Sequence, residues 1–306
     1  MGYLYLMMVA FFFSFGGTCV KLIRPYFNPY MITFLRFFIG VLWLLLLKAV
    51  SRRRTRADFR AQLWAHWPWL VLGATAKLLS YITENVALSE GVSYGNILTQ
   101  PAQIILVTIL GVTVLREKMS GEKWTGMALC LLGILLISWN GLPPEALMGE
   151  KLVLPLLFVI SGFCNGLLVF AQKKAAPYFD ILDSNLFMFS LAAALGFLVP
   201  AFQGAVLPAA APSALCIVAI LGFGFSTGIG YYLNAKAIPL VPFRMVALLQ
   251  STMVFFTLAW GILFFHEAVS GWIIGGTVLF VIGIVMMQWK GQTKTNTPDT
   301  APGVSH

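Results

Sequence analysis

The sequence has little charge for its length. Aspartate, glutamate, lysine and arginine make up 10% of its 306 residues, whereas 59% of the residues are hydrophobic. A soluble domain carries about 25% charged residues, so this chain has too little polar surface to cover itself in water. The composition excludes an ordinary soluble protein and predicts an integral membrane protein.

Histidine and cysteine are also scarce. The three histidines, His66, His266 and His306, are scattered and show no spacing typical of metal ligands. The four cysteines lie singly in apolar segments without a CxxC pair, which favours free thiols. The clustered histidine, aspartate or serine that a membrane enzyme needs is missing as well. We therefore predict no metal, no cofactor and no enzymatic activity.

Long apolar runs fill most of the chain. A membrane-spanning helix needs roughly 20 mostly apolar residues. On that rule the all-α chain has ten transmembrane helices, five in each half, at residues 3–23, 30–47, 67–88, 94–115, 124–139, 152–172, 184–201, 213–237, 243–265 and 272–289.

The basic residues predict the orientation. The net charge is +9, but the charges lie in short loops between apolar runs, which is typical of membrane topology and not of a nucleic-acid partner. With the N-terminus in the cytoplasm, fifteen basic residues fall in inner loops and only Lys21, Arg24 and Lys151 in outer ones. The positive-inside rule then places both termini in the cytoplasm. The polar, proline-containing segment 291–306 is predicted to be a disordered tail.

The second half of the sequence repeats the first. At an offset of 150 residues the two halves share Tyr81/Tyr231, Gln100/Gln250 and several glycines, and Pro25-Tyr26-Phe27 recurs 152 positions later as Pro177-Tyr178-Phe179. Five spans per half place the copies in opposite orientations, an arrangement found in many secondary transporters. We predict two inverted five-helix repeats, residues 1–145 and 146–290.

Three charges lie well inside the predicted spans and away from their ends: Arg36, Lys77 and Glu84. Each costs roughly 2.5–3.5 kcal/mol on insertion scales, so such residues predict a functional site or a buried pair. On the third span Lys77 and Glu84 belong to a stripe at spacing i, i+3, i+4, i+7, i+8, which is one helical face. A similar polar face on the fourth span predicts one shared cavity. The candidate substrate-binding residues are Arg36, Lys77, Ser80, Tyr81, Glu84, Asn85, Asn96, Thr99, Gln100, Gln103, Tyr231 and Gln250.

Each of these polar groups has a structural alternative. Lys77 lies near the membrane midplane, with Glu84 roughly 10 Å further out, so the two are poor direct partners. Arg36 reaches the depth of Glu84 and either pairs with it to fix helix packing or meets substrate. Lys77 either lines the cavity or is neutralised by burial. The fourth-span amides bind substrate or bridge helices, and Glu84 is the candidate proton-coupling residue.

Small residues mark the fifth and tenth spans. Gly126 and Gly133, and their repeats Gly276 and Gly283, are seven residues apart on one face of each helix. Such faces permit close helix packing. We interpret these helices as scaffold, with a dimer contact as one possible use.

The repeated motif resembles the EamA-type repeat of the drug/metabolite transporter superfamily. Its residues in the first half are Ala87-Leu88, Pro101, Glu117, Gly126 and Gly133, and Arg36-Phe37 resembles the arginine-phenylalanine of the second helix. In the second half Ser251 replaces the proline, and the matching residues are Ala237-Ile238, Glu267, Gly276 and Gly283. The resemblance implies ten helices in two inverted repeats, a central cavity and alternating access, often for export.

We predict a secondary transporter, working as an exporter in a bacterial inner membrane. A cation at Lys77 and an acid at Glu84 favour a zwitterion such as an amino acid, followed by an organic anion. Quaternary amines, which Lys77 would repel, and nucleotide sugars are further substrates of the superfamily. A channel-like facilitative carrier is the alternative. The predicted partners are the substrate, the bilayer and a coupling proton, and the chain is a monomer or a homodimer.

Overall fold

The structure, a computed structural model, describes residues 2–51, 59–91, 95–114, 121–139, 153–204, 207–237 and 252–289, with Gly141 and Leu240. Within these ranges every regular element is helical. The helices, numbered in chain order, are α1 Gly2–Ser14, α2 Gly16–Ile23, α3 Pro29–Val50, α4 Phe59–Glu90, α5 Thr99–Thr113, α6 Gly121–Trp139, α7 Val153–Ala175, α8 Ile181–Phe202, α9 Ala214–Phe225, α10 Tyr231–Ala237, α11 Met253–Phe265 and α12 Gly271–Trp289. A 3₁₀ turn, Gly95–Leu98, precedes α5, and a π turn, Ser226–Gly230, joins α9 to α10.

Helix occupies the described part of each predicted span. Among the described residues, five stretches are long and apolar enough to cross a membrane: Gly2–Ile23, Pro29–Val50, Val153–Gln172, Ile181–Phe202 and Ala214–Asn234. The chain is therefore an integral membrane protein built from helices, while the count of ten spans stays a prediction. The predicted tail at 291–306 lies outside the described residues.

The third predicted span is longer than the sequence indicated. We expected it to begin at residue 67, but α4 begins at Phe59 and runs for 32 residues, with Pro68 inside the helix. At 1.5 Å per residue this is about 48 Å, against a hydrocarbon core of about 30 Å. The hydropathy rule left out the first turns of α4 because they are polar, and a helix can continue beyond the apolar stretch that it was used to detect.

Equivalent side chains cap equivalent helices in the two halves. The side chain of Asn28 accepts a 2.7 Å hydrogen bond from the Met31 backbone N–H at the start of α3, where Pro29 occupies the first turn. Asp180, which is 152 positions later, accepts one of 2.9 Å from Leu182 at the start of α8. Such caps satisfy N–H groups that have no partner within a helix.

Two of the predicted spans are interrupted. The first is divided at Phe15 into α1 and α2, just before the pair Gly16-Gly17, and the eighth contains the π turn Ser226–Gly230. Glycine tolerates such local changes in helix geometry, and single π turns are frequent at functional sites. The π turn covers the positions that align with 76–80 of the regular helix α4, so the two halves differ there.

Each main pair of packed helices either joins two equivalent helices or has an equivalent pair in the repeat. Helix α6 packs against α12 and α3 against α8, and the pairing of α4 with α7 has its counterpart in that of α1 and α2 with α9 and α10. Lys48 near the end of α3 forms a 2.6 Å ion pair with Asp183 at the start of α8. The equivalent helices α3 and α8 therefore run in opposite directions.

The repeated glycines form the contact between α6 and α12. A Cβ atom added to Gly133 would lie 2.6 Å from the carbonyl oxygen of Gly276, and one added to Gly283 would lie 2.6 Å from that of Gly126. The two backbones are thus in direct contact, as small residues permit. These glycines are used within the chain, so their presence does not require a dimer.

The two Pro-Tyr-Phe corners lie at opposite ends of the bundle. At one end the ring of Tyr178 stacks on His66 of α4, with ring centroids 3.4 Å apart. At the other end the carbonyl of Tyr26 accepts a 2.8 Å hydrogen bond from the backbone N–H of Ala209, just before α9. Each Pro-Tyr-Phe corner therefore contacts the other half of the chain, at the start of the third span or just before it.

Candidate functional site

Two equivalent tyrosines meet at the centre of the site. The hydroxyl of Tyr81 on α4 donates to the hydroxyl of Tyr231 on α10 at 3.3 Å, and the two residues are 150 positions apart. Cys130 and Phe280, also 150 apart, approach each other between α6 and α12. The two halves of the chain therefore contact each other directly at two pairs of equivalent positions.

Arg36 lies against the face of Tyr81. Its guanidinium carbon is 3.3 Å from the centroid of the Tyr81 ring and 4.0 Å from that of Phe223, distances that give cation–π attraction to both rings. Its Nε donates to the Thr227 hydroxyl at 2.8 Å. Its Nη1 has no hydrogen-bond partner and is 4.0 Å from an oxygen of Glu84. Arg36 and Glu84 thus lie close enough to form an ion pair.

Lys77 is fully buried and is held by a neutral group. Its Nζ donates to the side-chain oxygen of Asn165 on α7 at 2.6 Å and lies 3.7 Å from the Tyr81 ring centroid and 4.8 Å from that of Tyr231. We expected no acidic partner for Lys77. The amide of Asn165, which the sequence reading did not single out, occupies that place.

Arg36, Lys77 and Glu84 form a buried charge cluster around Tyr81. Their exposed fractions are 6%, 0% and 7%. Two cations and one carboxylate give the cluster a formal surplus of one positive charge. Taking an ion out of water costs several kcal/mol unless opposite charge or hydrogen bonds compensate. The hydroxyl of Thr227 and the amide of Asn165 supply only neutral oxygens, so the cluster is suited to accept an anionic group.

The remaining stripe residues face neighbouring helices. The hydroxyl of Ser80 is 3.0 Å from that of Ser161 on α7. The side-chain amide of Asn85 donates to the Thr33 hydroxyl on α3 at 2.8 Å, while its oxygen has no hydrogen-bond partner. The predicted stripe therefore does face the interior of the bundle, where it meets both halves of the chain.

The polar face of the fourth span is less regular than its spacing indicated. Asn96 lies in the 3₁₀ turn and not in α5; it is buried, and its side-chain oxygen has no hydrogen-bond partner. The Thr99 hydroxyl donates to the backbone oxygen of Asn96 at 2.7 Å, which is a local contact. Gln100 and Gln103 are half-buried, and Gln250 lies outside the described residues. In the described part of the chain, no hydrogen bond or ion pair joins these residues to the charge cluster.

The corresponding region of the second half has an aromatic contact in place of the charged one. There Phe13 on α1 contacts Tyr231, with ring centroids 5.1 Å apart, and a Cβ added to Gly230 would lie 2.7 Å from the Phe13 ring. Thr227 aligns with Lys77, and Gly230 aligns with Ser80. The α4–α7 contact is thus polar where its counterpart is aromatic, so the repeat does not duplicate the charge cluster.

Sequence reasoning missed the partners that the second half supplies. Asn165, Ser161 and Thr227 each contact a predicted stripe residue or Arg36. Asn165 is a carboxamide in the interior of a largely apolar span, and that position was the available signal. Thr227 and Ser161 gave none, because single hydroxyl residues are common in membrane helices and usually bond their own backbone.

Comparison with known proteins agrees with this architecture. The model of the EamA-like transporter family matches residues 1–139 and again residues 153–289. A solved structure described only as the crystal structure of a protein has a TM-score of 0.68 and 17% identity, with 96% of this chain and 99% of that chain covered, and at this identity it shows the fold alone. No curated protein matches the sequence. The predicted resemblance is confirmed over both halves, and the chain belongs to the EamA-like transporter family.

Proposed function

We propose that this protein is a secondary transporter of a small metabolite that carries an anionic group, with an amino acid or a related zwitterion as the first candidate. The observation that carries the proposal is the buried charge cluster of two cations and one carboxylate. A buried surplus of positive charge is costly. A substrate anion removes that cost while it is bound, which gives the site both affinity and selectivity.

A zwitterion suits all three charged groups. Its carboxylate would lie near the free Nη1 of Arg36 and the ammonium of Lys77, and its own ammonium would lie near Glu84. Charge-assisted hydrogen bonds of this kind are about twice as strong as neutral ones. An organic anion without an amine is the second candidate, since it also supplies the missing negative charge. A quaternary amine would add a third cation to the cluster.

Alternating access around the tyrosine pair is the proposed mechanism. The equivalent helices α3 and α8 run in opposite directions, which supports two inverted repeats and ten spans. In such folds the site lies near the bilayer midplane at the repeat interface, and one repeat rocks against the other. Family membership fits a transporter and not an enzyme.

The cellular setting completes the proposal. The distribution of basic residues supports cytoplasmic termini in a bacterial inner membrane. We assign the direction of net flux to export and the coupling ion to a proton taken up at Glu84. The 4.0 Å distance between Glu84 and Arg36 supports this assignment, because a proton on Glu84 would weaken the ion pair that joins α4 to α3.

Counterflow in proteoliposomes tests the proposal. Vesicles loaded with an unlabelled amino acid or dicarboxylate should transiently accumulate the same labelled compound, with saturable kinetics. Arg36→Ala should abolish the accumulation, whereas Asn185→Ala, at a buried amide away from the cluster, should preserve it. Flux that never saturates and shows no counterflow would favour the channel-like alternative, and no flux of any carboxylate would refute the substrate class.

A further inference from the structure

We propose that Asn165 is a specificity-determining residue, whose side-chain oxygen holds the ammonium of Lys77 in the place that a substrate's anionic oxygen takes during transport. The inference rests on the proposed function, because it names the group that the substrate displaces. Asn165 lies in the second half of the chain and Lys77 in the first, so their hydrogen bond also crosses between the repeats.

The geometry of the contact supports this role. The distance of 2.6 Å from Lys77 Nζ to Asn165 Oδ1 is short for a nitrogen donor. An ammonium has three donors, and the hydrogen bond described for Lys77 goes to this one side chain, while the rings of Tyr81 and Tyr231 cover the ammonium. The amide oxygen is therefore the polar atom that a carboxylate oxygen must replace or join.

Comparison of the two halves shows that they do not share the contact between Lys77 and Asn165. The offset of 152 residues that relates the Pro-Tyr-Phe corners aligns Asn165 with Phe13, and the partner of Phe13 in the structure is the Gly230-Tyr231 region. Lys77 aligns with Thr227. A lysine and an asparagine thus replace a threonine and a phenylalanine at corresponding places, so helix packing alone does not call for either residue.

The neutrality of Asn165 is what leaves the cluster positive. An aspartate has nearly the same shape but would bring a full negative charge to the Lys77 ammonium. The cluster of Arg36, Lys77 and Glu84 would then be balanced without any substrate. An arriving carboxylate would meet a fixed carboxylate, and like charges brought together in a site cost several kcal/mol.

Asn165→Asp is the direct test, with Asn185→Asp on α8 as the matched control. Asn185 is also a buried amide, but its side chain accepts from Gln172 at 3.3 Å and not from a cluster residue. Counterflow and ligand-induced thermal shifts would be measured with succinate, alanine and 1,4-diaminobutane. We expect Asn165→Asp to raise the KM for whichever carboxylate compounds the wild type exchanges by about tenfold or more. We expect Asn185→Asp to leave that KM within about threefold.

Asn165→Ala keeps the inference testable if the aspartate variant does not fold. Deleting the amide removes the competitor for Lys77, so we expect a less stable free protein but a larger thermal shift with the transported carboxylate than in the wild type. A merely structural asparagine would lower stability without enlarging the ligand shift. An unchanged KM in Asn165→Asp, or an unenlarged shift in Asn165→Ala, would refute the role of Asn165. Wild-type protein that exchanges neither succinate nor alanine would instead refute the proposed substrate class.

Discussion

The hydroxyl of Tyr81 donates a 3.3 Å hydrogen bond to the hydroxyl of Tyr231, its own counterpart in the repeat. The bond joins the two halves of the chain. Two cations of the first half, Arg36 and Lys77, both approach the Tyr81 ring, at 3.3 Å and 3.7 Å. A contact between equivalent residues thus lies beside a charge cluster that the repeat does not duplicate.

Removing both tyrosine hydroxyls should cost less than the sum of the two single removals. Tyr81→Phe or Tyr231→Phe alone removes this bond and leaves the other hydroxyl without this partner, which costs up to about 1–3 kcal/mol. The double variant has no unsatisfied hydroxyl and keeps both rings against the cations. We expect its unfolding free energy in detergent to fall by less than the sum of the single changes. Strictly additive losses would show that the two hydroxyls do not depend on each other.

Thr227 should stabilise Arg36 without contributing charge. Thr227→Val preserves the shape of the side chain but removes the acceptor of the 2.8 Å bond from Arg36 Nε. A hydrogen bond to a charged group contributes about 1.5–3 kcal/mol, so we expect the thermal unfolding temperature to fall. Thr227→Ser retains the hydroxyl and is the control. Equal stability of the valine and serine variants would exclude this hydrogen bond as a stabilising contact.

Glu84 should couple transport to protons without being needed for exchange. Glu84→Gln is nearly isosteric and cannot release a proton. We expect it to abolish substrate movement driven by a pH gradient, while counterflow at equal pH persists because the glutamine oxygen can still accept a hydrogen bond from the substrate's ammonium. Both activities would be measured in the same proteoliposomes, and undiminished proton-driven transport in this variant would remove Glu84 from the coupling step.

The contact between α6 and α12 should be sensitive to a single methyl group. A Cβ at Gly276 would lie 2.7 Å from the Gly133 carbonyl oxygen, whereas a Cβ at the neighbouring Gly275 meets nothing within 4 Å. We expect Gly276→Ala to lower the unfolding free energy by about 1–3 kcal/mol, the usual cost of overpacking. Gly275→Ala should be neutral or stabilising, because alanine favours helix by about 1 kcal/mol over glycine. Equal effects of the two substitutions would mean that the helices are not in backbone contact.

Much of this protein could be predicted from local patterns. The helices, their doubling and the inward-facing stripe from Lys77 to Asn85 follow from hydropathy, an offset of 150 residues and a helical period. The places where the structure differs from the sequence-based prediction have local causes as well. The π turn at Ser226–Gly230 and the 3₁₀ turn at Gly95–Leu98 are changes of hydrogen-bond register that hydropathy does not reveal, and both contain glycine. Asn96 consequently lies outside the helix that its spacing predicted.

The sequence by itself determined that this is a membrane protein of two related halves with Arg36, Lys77 and Glu84 as costly interior charges, because apolar runs and buried charge leave no other solution in a bilayer. Only the tertiary structure decided their partners. Asn165 and Thr227 are 88 and 191 positions away from the cations they hold. Such contacts depend on how α7 and the π turn pack beside α4 and α3, and that packing sums many weak, non-local interactions that no sequence spacing encodes.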